Sequence, residues 1–307
     1  MSWNLQQTIN FARTFIEYNP LTAGLGGEPA VSVASMIRNS LLNPPLTWSF
    51  NRNEQTFATV VGTQDYSQTW TDFAFVEKVS LTDDQGKIWE VKDVYNNSAL
   101  SPSAFQQRPS AMSVETSGLN SQKFRFLGVP DQIYTATVVY QKLSAQFGPF
   151  FITAAGNAAA GNTTYTGTFD PISFPASSIA TITGFVTHTV NNGSFVVVSC
   201  SATSLVVVNA SGVAETISAY VSNYSWDPIP DQYSDVFNNL FLAEALAMAD
   251  DARSTYYRQR GVAAMLSKAS GLTEMQKNAW AQQWLQRGNE RVASGHAGQQ
   301  GSAGRGV

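Results

Sequence analysis

The chain has 307 residues, enough for one to three domains with real cores, and its 18 basic against 22 acidic residues leave a net charge of −4. That balance excludes the basic footprint of a protein that grips nucleic acid, and the single cysteine, Cys200, excludes an internal disulfide and suits a reducing compartment during folding. No apolar run approaches the roughly 18 to 20 residues of a membrane span, and MSWNLQQTINFART lacks a basic stretch followed by an apolar one, so the sequence reads as a soluble chain made in the cytoplasm.

Leu5, Ile9, Ala12 and Ile16 recur at helical spacing and predict a helix from Asn4 to Tyr18. Asn19-Pro20 closes it, and a loop with Gly24, Gly26 and Gly27 follows. Pro29 suits the start of a second helix that carries Val33, Ile37 and Leu41 on one face and ends at Asn43-Pro44-Pro45. The period then shortens to that of strands. LTWSFNRNE sets Trp48, Phe50 and Arg52 against polar neighbours, and FVEKVSLTDDQGKIWEVKDV reads as a hairpin turning at Asp83-Asp84-Gln85-Gly86. KFRFLGVPDQIYTATVVYQKL supplies two strands around Pro130-Asp131. Tyr134, Ala136, Val138 and Tyr140 share one face there, with Thr135, Thr137 and Val139 on the other.

Lys142 is the last basic residue before Arg253, and from Phe147 to Ser225 only Asp170 and Glu215 carry formal charge. Gly148-Pro149 and Trp226-Asp227-Pro228 bound this stretch, which predicts a separate module. Its strands are ATITGFVTHTV, GSFVVVSCS and SLVVVN, with Asn192-Gly193 as a type I′ hairpin turn and Ser211-Gly212 as another turn. The prediction is a small antiparallel sandwich or barrel of about 70 residues.

Helix returns at IPDQYSDVFNNLFLAEAL, where Pro230 fits the first helical position and Asp231 and Asp235 favour the positive end of the helix dipole. The spacing of Tyr233, Val236, Phe237, Leu240 and Phe241 predicts one buried stripe on an amphipathic helix. Asp250-Asp251 breaks it, and a second helix runs from Ala252 to Ala269. The capping box Thr273 to Gln276 opens a third that places Trp280 and Trp284 on one face. From Ala293 to Val307 the composition predicts a flexible tail.

Motifs for chemistry are sparse. His188 falls in the charge-poor module and His296 in the tail, and neither has a partner at metal-ligand spacing. Cys200 lies in an apolar strand with no activating neighbour. The carboxylate pairs Asp83-Asp84 and Asp250-Asp251 read as a turn and a helix end. A hydrolase that draws two acids from distant loops leaves no local signature and stays open. The charge-poor module fits a binder of sugars or proteins as well as a spacer, and the spacer reading is preferred. Trp280 and Trp284, at helical spacing, read as core or subunit interface before ligand platform.

IPDQYSDVFNNLFLAEALAMADDARSTYYRQRGVAAML resembles the C-terminal helical segment of phage head-to-tail adaptors of the podovirus tail-tubular and connector type. The features are the start at Pro230, Asp231 and Tyr233, the acidic break at Asp250-Asp251, and Ala252 with Tyr256 beyond it. RPSAMSVETSGLNSQKFRFLGVPDQIYTATVVYQKL is similar to that family's paired strands around a Pro-Asp turn, and the charge-poor stretch to a small β module of assorted phage structural proteins. The likeness covers about residues 1–146 and 221–287.

The resulting fold class is α+β. A helical bundle of the N- and C-terminal helices joins an antiparallel β layer, with an inserted all-β sandwich or barrel. Residues 1–146 and 221–292 make the adaptor core, 147–220 the insert and 293–307 the tail. The resemblance implies a virion protein of the neck or tail, assembled in the host cytoplasm as a ring of twelve copies. Its partners are the portal protein, a downstream tail, nozzle or tail-hub protein, and DNA that passes through the lumen without sequence-specific binding. No membrane, cofactor, metal or catalytic residue is implied. Portal docking falls to the C-terminal segment with Gly295, His296, Gln299, Gln300, Arg305 and Val307. The helical wall and subunit packing fall to Pro230, Asp231, Tyr233, Phe237, Leu240, Tyr256, Trp280 and Trp284. Competing classes are another tail component, of tube or baseplate, and a carbohydrate-binding or hydrolytic tail protein that acts through the β module.

Overall fold

Asn4 starts the first helix by a reciprocal cap: its side chain accepts from the Gln7 amide while the Gln7 side chain accepts from the Asn4 amide. In the computed structural model, which describes residues 3–16, 28–44, 46–93, 105–118, 121–226, 228–269 and 272–297, this helix is α1 (Leu5–Arg13). It stops short of the predicted end, and Tyr18, Asn19-Pro20 and the glycine loop lie outside the described residues. Leu5, Ile9 and Ala12 are buried. Helix α2 (Glu28–Leu42) buries Ala30, Val33, Ala34, Ile37 and Leu41 as its spacing predicts.

The chain divides into two compact units, one of Met1–Leu46 with Ala145–Val307 and the other of Thr47–Ser144. The second is a seven-stranded sheet in the order β1-β7-β3-β4-β5-β6-β2. Its strands are β1 (Arg52–Ala58), β2 (Asp65–Gln68), β3 (Phe73–Thr82), β4 (Ile88–Asp93), β5 (Ala111–Gly118), β6 (Ser121–Leu127) and β7 (Thr135–Lys142). Trp48 and Phe50 are not in a strand. They flank and enter a 3-10 turn, Ser49–Asn51, because the Gln141 side chain bonds both the amide and the carbonyl of Trp48, and Asn51 donates to the Lys142 carbonyl. The β3–β4 hairpin forms as predicted, with the Asp83 carboxylate accepting from the Gln85 and Lys87 amides and Gly86 at φ 75°. Strand β7 alternates as read, with Ala136, Val138 and Tyr140 buried between more exposed Thr135, Thr137 and Val139. The only parallel pairing among the described strands joins β4 to β5. The sheet curls over its own aromatic core: Phe57, on the β1 edge, lies 5.4 Å from Tyr66 on β2 and 5.5 Å from Phe124 on β6.

On β2, Asp65 takes a bidentate bond from Arg125 and an ion pair from Lys123. Chiefly through Arg125, its carboxyl falls from an ordinary 3.8 to about 2. A depressed carboxylate contributes stability that is fully present above its unfolded value and is lost as pH falls through the folded one, so the window runs from about 3.8 down to about 2. The side chain is 37% exposed, so water screens the pair and the gain is small. Asp65→Asn is expected to flatten the fall of the urea midpoint in that window. An equally steep fall in the variant would assign the acid sensitivity elsewhere.

In the other unit, six strands close into a barrel in the order β10-β11-β12-β9-β8-β13. They are β8 (Phe150–Ala155), β9 (Asn162–Thr168), β10 (Ile179–Thr183), β11 (Gly193–Cys200), β12 (Ser204–Val208) and β13 (Glu215–Ser222). Ile152, Tyr165, Phe174, Ile182, Leu205 and Val221 fill the interior. The composition change at Phe147 thus marks where the barrel begins, while the contacts join barrel and helices in one unit. Gly167 permits a close strand approach, since a Cβ there would sit 2.1 Å from the Phe151 carbonyl oxygen.

Asn192-Gly193 is not a type I′ turn. Asn192 is extended at φ −87° and ψ 145°, where that turn needs positive φ at both residues. Its side chain instead pairs with the amide and the carbonyl of Phe185, which ends β10 at Thr183 and leaves residues 184–192 as a connection.

Pro230 does not open the returning helix. It is extended, at ψ 149°, before a 3-10 turn over Asp231–Tyr233, and α3 (Ser234–Met248) begins beyond it. Nor is α3 amphipathic. Phe237, Leu240 and Phe241 are buried as predicted, but so are Asn239, Leu242, Ala243, Glu244, Ala245 and Leu246 around the other face. A helix with so little charge is covered around most of its girth, and Glu244 tolerates this by pairing at 3.0 Å with buried Arg258.

The break falls at Asp250, φ 54°, and the Asp251 carboxylate accepts from the Arg253 amide at the start of α4 (Arg253–Lys268). Gly261 brings α4 against α3, where a Cβ would meet the Leu240 side chain at 2.8 Å. Helix α5 (Glu274–Ala297) opens with the predicted box, Thr273 and Gln276 bonding each other's amides. It continues into the segment expected as tail, because extending a formed helix is far easier than nucleating one.

Candidate functional site

The base of the barrel gathers the most unusual chemistry. The chain enters at Ala145 and leaves at Ser225, and Arg38 of α2 donates to both carbonyls. Arg38 is 1% exposed, and its guanidinium carbon lies 3.6 Å over the Phe147 ring centroid and 5.8 Å from that of Trp226. A planar fork donates in its plane and attracts ring faces with its flat side, which suits a point that must hold two chain crossings at once.

Three rings surround Trp226. Trp3 stacks on it at 4.8 Å and 12°, Phe147 meets it edge-on at 4.9 Å and Phe237 of α3 lies at 4.2 Å. Its indole donates to the Thr8 hydroxyl on α1 at 3.3 Å. Polar groups complete the junction. The Asn223 amide donates to the Phe147 carbonyl at 2.9 Å and its side chain to the Ser173 carbonyl. The Gln146 amide donates to the Ser173 hydroxyl, which donates to Asp170 at 2.6 Å. This arrangement positions chain segments, and most of its donors and acceptors bond one another.

The sequence-predicted residues scatter by comparison. Asp231 and Phe237 reach this junction, Asp231 by accepting from the Trp3 amide at 3.0 Å. Tyr233 and Leu240 are buried in α3 and its approach, and Pro230 precedes them. Trp280 and Trp284 lie elsewhere on the helices, both indoles donating to Ser40 of α2, so their own chain covers them. Tyr256 is 59% exposed on α4, edge-on to Tyr257. Gly295 and His296 fall in the last turns of α5, while Gln299, Gln300, Arg305 and Val307 lie outside the described residues.

His188 keeps its place beside the 3-10 turn Thr189–Asn191, and its amide donates to Glu215. Burial, and then Asp170, pushes the Cys200 thiol up to about 11, so it stays protonated near neutral pH. Among the described residues no group of three or more His, Cys, Asp or Glu is placed to hold a metal ion. No helix among them is long and apolar enough to cross a membrane.

Sequence reasoning missed Arg38, Trp3, Phe147 and Asn223. One signal was present: Arg38 sits within the apolar run of α2, between Ile37 and Leu41, and aromatic residues bracket the charge-poor stretch at Phe147 and Trp226. A scan against models of known protein families finds no match, and a search of curated proteins likewise finds none.

Proposed function

We propose that the chain is a structural protein of a phage virion, a head-to-tail adaptor whose copies form a ring, dock on the portal and extend the DNA channel toward the tail. The observation that carries this reading is the distribution of apolar side chains on the helices. Their interior is filled, yet Met248, Tyr256, Met275 and Leu285 remain exposed on α3, α4 and α5, with Met275 79% exposed. Large apolar groups left on stiff elements suit contacts between copies. In this reading α1–α5 act as a helical bundle that makes the ring wall, joined head to tail by heterologous contacts that close on rotation.

The resemblance of the Pro230–Leu266 region to adaptor helices supports the same assignment. A net charge of −4 repeated around a ring repels phosphates, so DNA slides through instead of adhering. The barrel then serves as a charge-poor spacer whose entry and exit meet the helical frame at one point, held by Arg38. Electron microscopy of the purified chain, alone and with portal, tests the proposal. Twelve-fold rings capping portals are expected; a chain that stays monomeric at micromolar concentration, or forms three- or six-fold assemblies that ignore portals, refutes it.

A further inference from the structure

The barrel is tied to the helices by a segment that sequence reasoning treated only as the start of a helix. Residues 3–5 run antiparallel beside the chain leaving the barrel: Asn4 bridges Ser225, and the Leu5 amide donates to the Tyr224 carbonyl at 2.9 Å. Trp3 lies over Trp226 and 5.3 Å from Phe237, and its amide is held by Asp231. The strap therefore grips the barrel's exit on one side and α3 on the other.

Two features make this grip releasable. First, the barrel has its own closed ladder and its own filled core, neither of which includes residues 3–5. Second, the Trp3 indole N–H is buried and has no hydrogen-bond partner among the described residues. An unmet buried donor lowers the stability of the docked state relative to the undocked one, in which water satisfies the same N–H. The ring favours docking and the N–H opposes it.

We propose that residues 3–5 are a strap that locks the barrel onto the helical frame, and that undocking Trp3 loosens the barrel at its root while leaving the barrel itself folded. The device is independent of the adaptor assignment, since it depends only on contacts within this chain.

Amide hydrogen exchange on the full-length protein tests it at two positions. The Asn223 amide, bonded to Phe147 across the root, reports the joint; the Leu205 amide, inside the barrel, reports the barrel's fold. In Trp3→Ala, Asn223 is expected to exchange about tenfold faster, with Leu205 unchanged. In Trp3→Phe, which keeps an aromatic ring and removes the unmet donor, Asn223 is expected to exchange more slowly than in the native chain. Faster exchange at Leu5 alone, with Asn223 unchanged, overturns the proposal, because the strap then frays without affecting the joint. Leu205 accelerating together with Asn223 also overturns it, since the barrel is then not independent. If Trp3→Ala does not fold, Trp3→Phe decides alone, and an Asn223 rate equal to or above the native one counts against the lock.

Discussion

Arg38→Ala is expected to destabilise the unit that holds the helices and barrel by about 4 kcal/mol, among the largest effects of any single substitution in the chain. The Ala145 and Ser225 carbonyls each lose a charge-assisted bond in a buried setting, and a bond to a charged group contributes roughly 1.5–3 kcal/mol. The contact of the guanidinium with the Phe147 face adds up to about 2 kcal/mol when desolvated. These effects share one side chain and do not sum fully, which sets the estimate below their arithmetic total. Arg38→Lys is expected to recover little, because an ammonium has neither the fork to span two carbonyls nor a flat face for the ring. Urea unfolding followed by tryptophan fluorescence checks this, since Trp3 and Trp226 lie at the junction. A loss under about 1 kcal/mol for Arg38→Ala, or full rescue by lysine, would falsify the assigned role.

The second large effect lies between α3 and α4. Glu244 and Arg258 pair with side chains 3% and 5% exposed, in a helix otherwise covered by apolar groups. Arg258→Met removes the counter-charge of a buried carboxylate and is expected to lower stability by about 3–5 kcal/mol. Glu244→Leu, which strands the guanidinium, falls in the same range. The double variant Glu244→Leu with Arg258→Met removes both charges together and is expected to regain most of the loss, since a buried pair offsets its desolvation only while both members are present. A thermal-unfolding cycle over the four proteins measures the coupling directly. Additive losses in the double variant would show that the two side chains act separately.

The local elements were largely legible. The capping box at Thr273, the Asp83 turn and the alternation along β7 all form where short-range patterns place them, because each depends on residues a few positions apart. The misreadings came where a side chain outside the local pattern claimed the backbone. Trp48 leaves the strand pattern because Gln141 claims its backbone, and Asn192-Gly193 leaves its hairpin because the Asn192 side chain bonds Phe185. The stripe read on α3 was real but incomplete, since a periodic pattern shows which face is most apolar and not how many neighbours cover the rest.

Composition and periodicity by themselves determined the mixture of helix and strand, the two helices at one end and three at the other, and the presence of a charge-poor β module between them, for these follow from near neighbours and from where charge is sparse. Only the tertiary structure decided how these pieces are joined. Arg38 finds carbonyls 107 and 187 positions away, and the Trp3 amide finds Asp231 across 228. No local pattern encodes such partners. The closed fold brings them within bonding distance, and burial then makes each of those bonds expensive to leave unmade.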